Sequence, residues 1–266
     1  MIRKLTEKDN NNLMNLIMEE PEYNLYIIGD VENFGYSQDF LELYGEFDEY
    51  DVISAVLVRY FNIFNLYAKD RFDMNGFINI IKSYDKPRML VGKTQIISRF
   101  EGSSLGFNKS ELHHFAVLRE IKSAFQVDKK IIVKKANIDD VERIADLRNV
   151  ISEFSSGSNN FKEILLNDFK AGTAHGYYVE VEGDIVSYAQ TSAENSKSAM
   201  VVSVMTDKKY RKKGLASACI KVLCDDLIKQ GKTLCLFYRN PEAGSIYRRL
   251  GFKEIGLWSM YVEMEK

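Results

Sequence analysis

The chain repeats itself, and the repeat limits what it can fold into. Ile2-Arg3-Lys4-Leu5-Thr6 is followed by Asp9, Leu13, Met14 and Leu16. Val133-Lys134-Lys135-Ala136-Asn137 is followed by Asp140, Ile144, Ala145 and Leu147, and the two stretches align without a gap. Each stretch reads as a short strand, a polar cap at Thr6 or Asn137, and a helix with apolar residues three and four apart. Further on, Asp51-Val52-Ile53-Ser54-Ala55-Val56 echoes Asp184-Ile185-Val186-Ser187-Tyr188-Ala189. Two matches in the same order predict a duplicated domain. The charged joint Gln126-Val127-Asp128-Lys129-Lys130 divides the chain into expected domains 1–127 and 128–266. The echo then breaks. The apolar run Ile63 to Ala68 continues into Lys69-Asp70-Arg71-Phe72-Asp73, whereas the corresponding run in the second half ends in a glycine turn.

Composition excludes several classes. A formal net charge of −2 supplies no basic field for nucleic acid, so no nucleic-acid partner is expected. No uncharged apolar run is long enough to span a bilayer, and Met1 leads into a polar run rather than a signal sequence. The three cysteines, Cys219, Cys224 and Cys235, form no C-x-x-C pair and sit among apolar residues. They suggest a reduced, cytoplasmic setting. No zinc, EF-hand or H-E-x-x-H spacing occurs, so no metal is expected. A homodimer is compatible with the sequence, which leaves the oligomeric state open.

In the second half, Tyr177 to Val181 alternates and meets Glu182-Gly183-Asp184, a hairpin signal leading into Ile185 to Thr191. Ala199 to Thr206 is a third strand. The loop Asp207 to Lys213 ends in Gly214, and Ala216, Cys219, Ile220, Leu223 and Leu227 then recur at helical spacing. A glycine-tipped turn with a small residue two places on lets backbone N–H groups close around a diphosphate, at the positive end of the helix that starts there. Thr233 to Tyr238 is a buried strand, Asn240 and Pro241 open another helix, Gly251-Phe252 closes it, and Ser259 to Glu263 is a last strand.

That order resembles the GNAT superfamily of acetyl-CoA-dependent N-acyltransferases over about residues 131–265. Arg211-Lys212-Lys213-Gly214-Leu215-Ala216 matches the family's R/Q-x-x-G-x-G/A loop. Asn240, Ala243, Tyr247 and Gly251-Phe252 match its second cofactor segment. The loop alone is weak, expected by chance in roughly one chain in ten of this length, but the two motifs in order on the right elements are strong. The layout is similar to tandem GNAT proteins with a degenerate first domain. The resemblance implies an α/β (α+β) fold of two domains, each a mixed, mostly antiparallel sheet flanked by helices.

It also implies roles. Amides from Lys212 through Ala216, with Arg211 and Ser217 flanking them, would hold the pyrophosphate of acetyl-CoA. Val204, Met205 and Thr206 would pair with the pantetheine and polarise the thioester carbonyl. Asn240, Ala243 and Tyr247 would complete the cofactor site, and Tyr247 would protonate the leaving thiolate. The base that receives the amine's proton stays open. Glu180 and Glu182, placed on one strand face, are candidates, as are Glu194, in a turn near the presumed acceptor end, and His175, each against the plainer reading of a solvated edge or loop residue. The acceptor would be a small-molecule or peptide amine.

Other functions stay in play. A non-catalytic acyl-CoA-binding protein would share the loop, and tandem GNAT folds also serve aminoacyl-tRNA-dependent transfer, which would want a basic track. Gly102-Ser103-Ser104-Leu105-Gly106 satisfies G-x-S-x-G, but helical spacing at Ile96, Ile97 and Phe100 precedes it where a hydrolase elbow needs a strand. Only His113, His114 and His175 could complete such a triad. Gly92-Lys93-Thr94 ends like a P-loop, yet Pro87 stands where the first glycine belongs. In the first half, strands are expected over Phe40–Glu46, Val52–Tyr60 and Ile63–Ala68, a helix over Phe72–Tyr84, and an apolar segment from Asn24 that stops at Gly29. Its aromatic residues, Tyr26 among them, are read as core or as the lining of an acceptor pocket.

Overall fold

The computed structural model describes residues 1–85, 87–122, 124–154 and 160–263. The last three residues, to which the expected second domain extends, lie outside them. The chain forms two compact units. One comprises Met1–Phe115, Phe237–Arg239 and Glu254–Lys266; the other comprises Ala116–Leu236 and Asn240–Lys253. The division by contacts therefore differs from the expected joint at 127/128: residues 116–127 fall in the second unit, and two late segments return to the first.

The first unit begins with β1 (Ile2–Lys4), α1 (Asn10–Ile17) and α2 (Leu25–Phe34). It continues through β2 (Leu41–Phe47), β3 (Ile53–Tyr60), β4 (Ile63–Ala68), α3 (Met74–Lys82), β5 (Met89–Lys93), α4 (Thr94–Ile97) and β6 (Lys109–Leu118, in this unit as far as Phe115). The second carries β7 (Lys134–Lys135), α5 (Val141–Asn149), α6 (Phe161–Ala171), β8 (Gly176–Val181), β9 (Asp184–Ser192) and β10 (Ser198–Thr206). It ends with α7 (Leu215–Lys229), β11 (Thr233–Tyr238, in this unit as far as Leu236) and α8 (Pro241–Leu250). The last strand, β12 (Lys253–Val262), pairs antiparallel with β5 of the first unit. Sheet order is β1-β2-β3-β4-β5-β12-β6 in the first unit and β11-β10-β9-β8-β7 in the second. Each is mixed and mostly antiparallel, with helices packed on it: α1 lies on β3, and α5 and α7 lie on β9.

The internal echo is a structural repeat. Thr6 with Asp9, and Asn137 with Asp140, each close a reciprocal capping box ahead of α1 and α5. Among the described residues each unit has a parallel strand pair three residues long: Ile63–Asn65 beside Met89–Val91, and Ser198–Met200 beside Thr233–Cys235. The apolar faces supply the cores. Leu13, Ile17, Ile27, Leu57, Phe64 and Phe77 are buried in the first unit, and Ile144, Leu165, Tyr178, Tyr188 and Met205 in the second.

Three expectations need correction. Gly29 does not stop a helix; it is buried inside α2, which ends at Gly35, where φ is +67°. α6 was not expected, although Phe161, Leu165, Leu166 and Phe169 recur at helical spacing and pack on the second core. The final strand starts at Lys253, six residues before Ser259.

Candidate functional site

The site is assembled from the end of β10 and the start of α7. β10 pairs with β9 in register from Met200↔Ser192 to Val202↔Gln190, then shifts to Met205↔Tyr188 and Thr206↔Ser187. One extra residue is accommodated, and Ser203 takes it up with φ +50°. β10 also leaves β11 after Met200↔Cys235. From Val201 to Thr206 the strand therefore pairs with β9 alone among the described residues. Its far edge carries main-chain groups that a ligand can address.

Asp207 then accepts the Lys209 amide at 2.8 Å and starts a short 3-10 turn over Lys208–Tyr210. Lys212 follows with φ +62° and Gly214 with φ +80°. Gly214 is the residue before α7 and offers no side-chain cap. Among the described residues the amides of Lys212, Lys213, Gly214, Leu215, Ala216 and Ser217 donate no hydrogen bond; the first reciprocated group is the Gly214 carbonyl, which accepts from the Ala218 amide at 3.0 Å. Arg211 through Gly214 are exposed, Ala216 and Ser217 half-buried, and Leu215 anchors the helix in the core. A Cβ on Gly214 would meet nothing nearer than Ile131 Cδ1 at 3.8 Å. Glycine is favoured here by its left-handed backbone rather than by a crowded neighbour. Fifteen residues of helix direct their positive end at this group of free amides.

The cations of the turn differ from one another. Arg211 donates through Nε to the Thr206 carbonyl at 3.1 Å and through Nη1 to Glu153 at 2.8 Å. The second bond holds the Glu153 carboxyl down at about 2. Lys213 lies 4.9 Å over the Tyr210 ring, and Lys212 is exposed. Under the turn, Ser187 Oγ meets Thr206 Oγ1 at 2.9 Å and the Met205 carbonyl at 3.2 Å. The Met205 side chain is buried in the second core, and Val204 is half-buried.

Asn240 caps α8 by accepting the Glu242 amide at 2.8 Å, with Pro241 in the first turn. Ala243 is half-buried in that helix. Tyr247 is buried, its ring set edge-on to Phe252 with centroids 5.8 Å apart. Burial, with the Cys224 thiol nearby, pushes the phenol up to about 12. It is a proton donor across the working range.

The carboxylates do not gather around this site. Glu180 is ion-paired with Lys134 and, at 2.8 Å, with Arg143, and both cations hold it below the usual carboxylate range. Glu182 is not on the strand face with Glu180: it occupies the hairpin turn, exposed, with φ +53°. Glu194 is not at the turn's end of the sheet. It follows β9 at the start of β10, and Met200 to Thr206 separates the two ends by about 20 Å at ~3.3 Å per residue. It is buried, accepting from Thr191 at 2.5 Å and Lys232 at 2.8 Å, with His175 Nδ1 at 2.7 Å. Sequence reasoning missed the bulge at Ser203 and the parting of β10 from β11. Neither leaves a residue pattern.

A family model for GNAT acetyltransferases matches residues 62–261. The chain belongs to the GNAT acetyltransferase family. Acyl transfer is therefore its class of chemistry. Solved structures of the same fold include a Drosophila protein (10% identity, 98% of each chain covered, TM-score 0.73). A GCN5-related N-acetyltransferase-like protein from Streptococcus suis is also similar (14% identity, 97% of this chain and 100% of that one, TM-score 0.60). So is a tandem GNAT protein from the clavulanic acid biosynthesis pathway (10% identity, 99% and 98%, TM-score 0.64). At these identities the likeness is one of fold. No curated protein matches the sequence. Among the described residues no helix is long and apolar enough to cross a membrane.

Proposed function

We propose that the chain moves an acetyl group from acetyl-CoA to a primary amine by direct attack in a ternary complex, and that the second unit holds the cofactor. One observation carries this reading: the exposed turn at Gly214, whose unused amides stand at the positive end of α7 beside a strand edge left open by the bulge. Those amides suit the pyrophosphate, and the open edge of Val204–Thr206 suits the amide-bearing pantetheine arm. Main-chain N–H groups of that edge would stabilise the charge that grows on the thioester oxygen. Tyr247, held protonated, would donate to the departing sulfur. Cys219 and Cys224 are buried with their thiols raised by burial, so neither is suited to carry the acyl group.

The first unit is proposed to bind no CoA, for two physical reasons. The start of α3 is already capped: Asp73 accepts the Gly76 amide at 2.9 Å and gives its own amide to Glu46 at 2.9 Å. Two carboxylates thus occupy the place where a diphosphate would sit. Beyond Asn65 and Val91, Gly92 lies so close to β4 that a Cβ would stand 2.6 Å from the Leu66 carbonyl oxygen. That leaves no wedge for a pantetheine arm. The test is a thiol-release assay with acetyl-CoA against amino acids, polyamines, aminoglycosides and peptides, run with calorimetry of acetyl-CoA alone. Amine-dependent thiol release with one cofactor bound per chain supports the reading. Binding without turnover would make the chain an acyl-CoA-binding protein, and two cofactors per chain would contradict the inert first unit.

A further inference from the structure

A serine with 0% exposure stands at position 187, inside β9 of the second unit, between Val186 and Tyr188. A buried hydroxyl costs free energy unless it is hydrogen-bonded, and alanine would fill most of the same place without that cost. After the bulge, Ser187 is registered with Thr206 across the two strands. The Asp207 amide donates to the Val186 carbonyl at 2.9 Å, so the ladder alternates here with Met205 and Asp207 turned toward β9 and Thr206 turned toward the open edge. Ser187 and Thr206 are therefore a pair of the kind whose side chains stand closest, and their hydroxyls meet at 2.9 Å. Ser187 Oγ also donates to the Met205 carbonyl at 3.2 Å.

Proton counting fixes the direction of both bonds. A hydroxyl has one proton and a carbonyl has none. Both contacts are hydrogen bonds only if Ser187 gives its proton to Met205 and Thr206 gives its own to Ser187. Thr206 Oγ1 then keeps lone pairs alone, and it meets a ligand as an acceptor. Thr206 is half-buried, and its carbonyl is already taken by Arg211 Nε at 3.1 Å. The Cys219 thiol of α7 lies 3.9 Å from Ser187 Oγ, so the hydroxyl pair is on the face of the sheet that carries α7, the helix whose start presents the free amides. The internal repeat supplies a contrast. Ser54 of β3 matches Ser187, and its hydroxyl goes to the Glu46 carbonyl of β2 at 3.2 Å. In the unit proposed to bind no CoA, the matching serine thus bonds the strand on the other side.

We propose that Ser187 is a positioning residue for the cofactor: its hydroxyl sets Thr206 Oγ1 as a fixed acceptor for a hydrogen-bond donor of the pantetheine arm. The proposal rests on the acetyl-CoA reading above. Thr206 is the last strand residue before the turn from Asp207 to Gly214, so it meets the arm where the arm leaves the diphosphate. The donors of CoA nearest that point are the pantoate hydroxyl and the amide N–H that follows it. Ser187 touches neither; it acts through Thr206. Without it, the Thr206 hydroxyl is free to turn its proton outward, toward a ligand proton, and the acceptor is lost.

The test is calorimetry on the full chain with two probes: CoA, and ADP, which carries the diphosphate without the arm and is measured by its displacement of CoA. Ser187→Ala should weaken CoA about fivefold, the scale of one neutral hydrogen bond, and leave ADP unchanged. Thr206→Val should also weaken CoA and spare ADP. The double variant should lose no more than Thr206→Val alone, because Ser187 acts through that one hydroxyl. Circular dichroism checks folding; should Ser187→Ala not fold, Ser187→Cys, close in volume but a weak donor and acceptor, takes its place. Equal losses of CoA and ADP, an unchanged CoA affinity in either single variant, or losses that add in the double variant overturn the positioning role. A wild-type chain whose CoA is not displaced by ADP overturns the diphosphate turn, and one that binds no CoA overturns the acetyl-CoA reading; the role of Ser187 falls with either.

Discussion

Arg211 donates to the carbonyl of Thr206 at 3.1 Å, so the cationic turn is fastened to the last residue of the bulged strand. Strand edge and free amides are thereby held as one surface. Because the same guanidinium pairs with exposed Glu153, Arg211→Ala should cost little stability, on the scale of ~0–1 kcal/mol for a surface ion pair. It should weaken acetyl-CoA several-fold by loosening the turn. Calorimetry beside thermal melts separates the two effects; an unchanged affinity would show that the turn holds its shape without this bond.

Gly214→Ala should destabilise the chain by about 1 kcal/mol, the cost of a left-handed backbone on an L-residue. The space around it is open, so no steric cost adds to this. Gly214→Asn, which tolerates the left-handed region, should lose less. Urea unfolding of both variants checks the order.

Tyr247→Phe should lower kcat about 100-fold, the bottom of the range for acid–base catalysis, and leave acetyl-CoA affinity unchanged. With the phenol pushed up to about 12, its ionisation should not limit the rate below about pH 10. An alkaline fall in kcat near pH 9 that vanishes in Tyr247→Phe would contradict this.

Glu194→Gln should destabilise the second unit by about 3 kcal/mol, because it leaves Lys232 and His175 facing a neutral amide in a buried network. Burial alone would raise this carboxyl, but hydrogen bonds from His175, Lys232 and Thr191 outweigh it and hold it at about 2. Its folded value lies below the unfolded value of about 4.3, so its contribution is present above pH 4 to 5 and is lost as pH falls toward 2. Urea midpoints at pH 7 and pH 3 should converge between wild type and variant; a constant gap would remove Glu194 as an acid-sensitive element.

The sequence disclosed those features that local chemistry writes into residues. β4 and β11 follow from uninterrupted apolar runs bounded by polar turns, α7 from its apolar stripe, and the twin capping boxes from Thr6, Asp9, Asn137 and Asp140. The glycine turn was legible because a left-handed residue at a helix start leaves few choices of side chain. Long-range pairing was not legible. β12 joins β5 from far along the chain, setting Trp258 beside Lys93, and the residues of β12 would suit any antiparallel neighbour. Ser203 carries a positive φ without being glycine, so the bulge gives no composition signal. Glu180 looked available as a base because Lys134 and Arg143 are distant in sequence and near only in the fold.

The most direct measurement is calorimetric titration of acetyl-CoA into the wild-type chain and into Gly214→Glu, with folding of the variant checked by circular dichroism. One site per wild-type chain is expected, with an affinity at least about thirty-fold weaker in the variant, ~2 kcal/mol, because a carboxylate would stand among the free amides of residues 212–217. Equal affinity in a folded Gly214→Glu chain would contradict it.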